Sequence, residues 1–140
     1  MRIVKTLTVS IFVIVLGLVE WSSSETKEKA RSEVLFRSQL AEQLAPGREV
    51  IVKLQTVPPN STLDWHRHPG EAFHYYLDGE VTIEIVGMEP IVGTPGNAGH
   101  VPYRKLHRAV AGEKGAKVLI FRVHVEDEPE SYSDSVGTLE

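Results

Sequence analysis

Between Leu63 and Glu80 the chain reads LDWHRHPGEAFHYYLDGE, which places His66, His68 and His74 within nine positions and Glu71 between them. The whole sequence holds six histidines, so half of them fall in this stretch. Imidazole and carboxylate both ligate divalent metals, and histidines at i and i+2 of a strand point to the same face. If that face looks inward, His66 and His68 can converge on one ion at roughly 2.0–2.1 Å. Taken alone, the pair is equally at home as a polar stretch on a solvent-facing strand. Cysteine is absent, which excludes thiolate ligands, disulfides and cysteine nucleophiles. Histidines and carboxylates are left as the strong metal ligands.

The elements that would hold these side chains read as strands. Residues 49–57 (EVIVKLQTV) are rich in β-branched side chains, and Val81, Ile83 and Ile85 alternate with Thr82 and Glu84. Residues 116–125 (AKVLIFRVHV) are nearly continuous apolar sequence, as expected of a strand buried on both faces. Proline, glycine and asparagine clusters punctuate the runs, and Asp78-Gly79 between alternating apolar segments predicts a hairpin. A chain of 140 residues patterned in this way predicts one all-β domain, a sandwich or barrel, over residues 34–125. The net charge of −4 and the lack of a basic stripe argue against a nucleic-acid partner.

The flanks have other signatures. Arg2 and Lys5 precede an apolar run, Leu7 to Val19, followed by Trp21-Ser22-Ser23-Ser24. That is the layout of a secretory signal peptide over residues 1–24, and the run falls short of the roughly 20 residues that span a bilayer. It predicts a secreted or periplasmic protein, with an uncleaved membrane anchor as the alternative. Residues 25–33 read as a charged linker, and the acidic tail, residues 126–140, is expected to be disordered. In an exported chain Asn60-Ser61-Thr62 also fits an N-glycosylation sequon.

A second histidine-bearing segment gives the first one context. Gly96, Pro102 and His107 follow at spacings that, with His66, His68 and Gly79, resemble the paired motifs of the cupin superfamily, small metal-binding β-barrels. Six of ten signature positions match. The resemblance implies a single-domain double-stranded β-helix, or jelly-roll, barrel that pairs as a homodimer through its outer strands. It also implies a mononuclear site in which His66, His68 and His107 are metal ligands. Four positions depart from the pattern. Asn60 and Arg104 stand where the family has glycine, Ala72 where it has the ligating glutamate, and Ala111 where it has asparagine. Asn tolerates a left-handed backbone; Arg at such a position costs about 1–2 kcal/mol. Arg104 is either solvated or turned into the barrel mouth toward an anionic ligand.

Ala72 cannot bind a metal, so two residues are candidates for a fourth ligand. Glu71 lies one residue early and faces outward on a regular strand, so it needs a bulge to turn in. His74 lies two residues late, on the same face as position 72, as a ligand, a general base acting near neutral pH, or a substrate-orienting group. Tyr76 shares this parity, as core or as cavity wall. Trp65 and Tyr75 have the opposite parity and read as packing or interface residues. His124 is read as surface or dimer packing, and His100 receives no role.

Neutral imidazoles without thiolates suit Fe, Mn, Ni, Cu or Zn as divalent ions. The resemblance then implies a metal-dependent oxidoreductase of the dioxygenase type, acting on a small enolisable or phenolic substrate. A non-redox isomerase, cyclase or lyase is the alternative enzyme. A cupin that binds a small ligand or metal without turnover is the alternative outside enzymology.

Overall fold

The computed structural model describes residues 28–134 and contains eight strands and no helix among them. In chain order these are β1 (Arg31–Gln39), β2 (Arg48–Val57), β3 (His66–Arg67), β4 (Gly70–Ile85), β5 (Ile91–Gly93), β6 (Ala98–Val101), β7 (His107–Val125) and β8 (Tyr132–Ser133). All pairings are antiparallel, and one curled sheet carries the order β1-β2-β7-β3-β8, with β4 joining β5, β6 and β7. The all-β expectation therefore holds. No helix of the described residues is long and apolar enough to cross a membrane. The signal-peptide segment lies outside the described residues, as do residues 135–140.

Two long strands, β4 and β7, form the frame. On β4 the buried residues are Ala72, His74 and Tyr76, then Val81, Ile83 and Ile85, so the inward parity switches between Tyr76 and Val81. On β7 it switches between Ala111 and Ala116. The register shifts at Tyr76/Asp78 and Gly79/Val81, so two bulges turn the corner. Asp78-Gly79 thus makes a bend within one strand, not the predicted hairpin. Gly79 has φ 68°, and a Cβ there would collide with the Gly115 carbonyl across the ladder. Gly115 itself has φ 72° and lies as tightly against the Val57 carbonyl, so neither position admits a side chain. Each long strand leaves this corner as part of the opposite wall, and Val57, Tyr76, Val81, Ile83, Val118 and Ile120 fill the space between.

All four positions where the cupin pattern places glycine have positive φ: Asn60 at 52°, Gly79 at 68°, Gly96 at 87° and Arg104 at 56°. The backbone at Asn60 and Arg104 is therefore the one glycine would adopt, despite the side chains present. Arg104 points to solvent, its guanidinium 5.3 Å from the Tyr103 ring and 3.9 Å from Glu128. It is solvated, not turned into the barrel.

Two expectations at the ends of the barrel need correction. Residues 31–33 lie in β1, not in a linker. The tail is ordered as far as Asp134: β8 pairs with β3, and the Asp134 amide donates to the Trp65 carbonyl at 3.1 Å. Its acidic residues are the reason, because Glu130 and Asp134 find cationic partners on the barrel in Arg37, Lys53 and Arg67.

Candidate metal centre

His66 on β3 and His107 at the start of β7 are direct cross-strand partners, which brings their rings together. His68, two residues further on, joins them, and the ring centroids lie 4.3–5.0 Å apart. The turn before His107 is tied to the same strand, because the Arg104 amide donates to the His68 carbonyl at 3.1 Å. One ring nitrogen from each of the three histidines falls within 4.8 Å of the others, close enough for small rotations to bring all three onto one ion.

The hydrogen bonds select the tautomer. Nδ1 of His66 donates to the Asp64 carbonyl at 2.7 Å, Nδ1 of His68 to Glu130 at 2.7 Å, and Nδ1 of His107 to Lys105 at 2.8 Å. With every Nδ1 proton so placed, each Nε2 is left as an acceptor, and that of His68 receives Arg122 Nη2 at 3.1 Å, a contact that an ion would displace. This backbone support of the distal nitrogen is the usual environment of a metal-ligating histidine. Burial reinforces it by disfavouring the charged rings. It holds His66 below its ordinary value and pushes His68 down to about 2 and His107 to about 4, helped in each case by the nearby Arg122 charge. The donor set therefore fits a divalent transition metal.

His74 and Glu71 part company here. The start of β4 pairs regularly with β7, so no bulge turns Glu71 inward; its carboxylate meets His100 on the outer face and accepts from the Tyr103 amide at 3.3 Å. The structure does not bring Glu71 to the triad. His74 is buried on the inner face and lines the same cavity. Its Nδ1 faces the Tyr76 hydroxyl at 3.5 Å, a long contact in which either group can donate. His74 lies beside the site and is not one of the three histidines whose ring nitrogens converge. Burial, followed by the charges of its histidine and arginine neighbours, lowers it to about 3, so it does not titrate near neutral pH as expected of a general base.

The cavity measures about 60 Å³ and is lined by four histidines, His66, His68, His74 and His107, and by apolar residues that include Val57, Val81, Ile83 and Ile120. Reading β7 by parity alone hid one neighbour. Beyond Gly115 its inward face is the even one, so Arg122 and His124 are buried and Phe121 is half exposed. His124 is thus fully buried, not at the surface, and its Nε2 donates to the Glu128 carbonyl at 3.0 Å. Arg122 Nη2 lies 3.1 Å from His68 Nε2 and Nη1 donates to the Glu130 carbonyl at 3.1 Å. Had Val118 and Ile120 been taken as the inward pair, the sequence would have pointed to both. Trp65 packs under Arg108, whose guanidinium sits 4.8 Å from the ring. His100 stacks on Phe73 at 4.8 Å, and Tyr76 is core.

A cupin domain family model matches residues 53–122, half of the chain, and the protein belongs to the cupin superfamily. Solved structures of the same fold include KdgF from a Halomonas species (17% identity, TM-score 0.58, 74% of this chain and 87% of that one). A cupin superfamily protein from Desulfitobacterium hafniense DCB-2 is 21% identical with TM-score 0.55, over 69% of this chain and 78% of that one. The dimethylsulfoniopropionate (DMSP) lyase DddQ from Ruegeria pomeroyi DSS-3 is 19% identical with TM-score 0.55, over 60% of this chain. This chain covers only 42% of that lyase. At these identities the likeness is one of fold. No curated protein matches the sequence.

Elemental analysis checks the triad. His66→Ala, His68→Ala and His107→Ala are each expected to lower metal affinity by about tenfold or more, whereas His74→Ala retains the ion. Acid should unfold the metal-free protein. Folded-state values below the ordinary 6.5 mean that the unfolded chain takes up protons first, so stability is complete above pH 6.5 and falls as pH drops toward 4 and below. The urea midpoint between pH 7 and 4 reads this, and a flat midpoint would contradict it.

Proposed function

We propose that this cupin is an exported, mononuclear metal-dependent enzyme acting on a small enolisable or phenolic substrate, with His66, His68 and His107 as the ligands. The observation that carries the reading is the triple donation of Nδ1 protons to backbone carbonyls, which leaves Nε2 of all three rings as acceptors at one cavity, the His68 nitrogen shared with Arg122 Nη2. A divalent transition metal bound there supplies Lewis-acid polarisation of a chelating oxygen and, if redox-active, electron exchange with dioxygen. The chain's own groups do the rest. The apolar wall limits water at the reacting end, and the neutral His74 ring, which lines the same cavity, would orient a substrate oxygen. Neutral donors leave the metal's positive charge uncompensated, which favours a substrate that binds as an anion.

The leading reaction is of the dioxygenase type. A non-redox isomerase, cyclase or lyase reaction is the second reading, favoured by Arg122, whose buried charge beside His68 would steady an enolate without electron transfer. Oxygen consumption by the metal-loaded protein on small 1,3-diketones and enolisable phenols, lost in His107→Ala, is the expected result. Product formed without oxygen would replace it with the non-redox reading, and tight ligand binding without product would leave a binding protein.

The homodimer belongs to the same proposal. Phe36, Val52, Phe121 and Phe73 lie in register as an apolar row across β1, β2, β7 and β4 on the outer face. Three of the four are about half exposed, and β1 is exposed along its whole length. An exposed apolar row of this kind supports that reading, because a pairing surface would cover it. Light scattering is expected to give twice the chain mass, and Phe121→Glu to give the single mass.

A further inference from the structure

Beside the inner cavity a wider recess of about 280 Å³ opens to solvent, sharing His66, His68 and Gln55 with it. Lys53 and Arg122 form its wall, and Glu130 from the ordered tail lies across it. One Glu130 carboxylate oxygen accepts from Arg37 Nη2 at 2.7 Å; the other accepts from Lys53 Nζ and lies 3.8 Å from Arg122 Nη1. Arg37 has a second carboxylate in Glu49. Among the described residues, Lys53 and Arg122 share Glu130 as their only ionic partner. The exposed Asp64 is the other carboxylate on the rim.

Arg122 is the informative member. Its side chain is 4% exposed and charged, and its Nε has no acceptor. A buried guanidinium with an idle donor is costly, and such a group calls for a role. Two cations that share one carboxylate, at the mouth of an otherwise apolar chamber, are arranged to receive an anion. Guanidinium supplies directional donors for a carboxylate and ammonium a compact charge.

We propose that this recess is a carboxylate-binding subsite, and that Glu130 occupies it as an internal stand-in which a substrate carboxylate displaces. The substrate class narrows to small organic acids whose carboxylate pairs with Lys53 and Arg122 while the reacting end lies among His66, His68 and His107. Only the Glu130 side chain has to leave; its carbonyl remains on His68. The covering segment suits such an exchange, because β8 is two residues long and pairs only with the equally short β3. This proposal rests on reading the inner cavity as a substrate chamber, so its test uses the metal-free full chain.

Succinate, with succinamide as the uncharged control, is titrated by calorimetry into wild type, Glu130→Gln and Glu130→Ala. Removal of a tethered competitor is expected to tighten succinate binding about tenfold or more in both variants. Adding Lys53→Met to either should abolish the gain, and succinamide should bind none of them. Equal succinate affinity in wild type and both Glu130 variants, a gain that survives Lys53→Met, or equal binding of succinamide overturns the proposal. Metal content is measured separately: a chain that takes metal but no succinate fails here alone, and one that takes succinate but no metal fails the metal reading alone.

Discussion

An imidazole buried in a sheet has two nitrogens, and only the one without a proton can serve a metal. The carbonyls of Asp64, Lys105 and Glu130 decide which nitrogen that is for His66, His107 and His68. Much of the rest of the structure bears on that choice. The cross-strand pairing of His66 with His107 puts two rings in contact, the turn through Arg104 holds His68 beside them, and burial disfavours the charged form of all three. Without the three acceptors the same residues would be merely buried histidines.

The site and its frame were legible in the sequence to different depths. The triad and the inward face of β4 could be read, because a strand's alternation is local and a paired motif fixes which residues meet. The glycine positions of that motif predicted the backbone even where Asn60 and Arg104 replaced the glycine, since φ is set by the turn and the side chain only bears the strain. Asp78-Gly79 misled. A turn dipeptide says that the chain bends, and only the partner strand, bending at Gly115, says whether the bend ends a strand or carries it around a corner.

Arg122 and Glu130 were missed for a related reason. A strand with large apolar groups on both faces does not declare its inward side, and Phe121, the bulkiest candidate, is on the outside. An acidic tail is composed like a disordered one. Its order comes from partners on β1, β2, β3 and β7 that lie far away in sequence. Composition describes what a segment can do alone, whereas this segment acts through charges that the barrel supplies.

The carbonyl that fixes His68 belongs to a residue beyond the last barrel strand, which makes the barrel and the metal centre different lengths of chain. A protein ended at Val125 would keep all three histidines in sequence, yet the His68 Nδ1 proton would lose its backbone acceptor, and Arg122 Nη2 on Nε2 would be the contact left to hold that ring. For any trimmed or fused version of this protein, correct folding and a correctly set third ligand are separate properties.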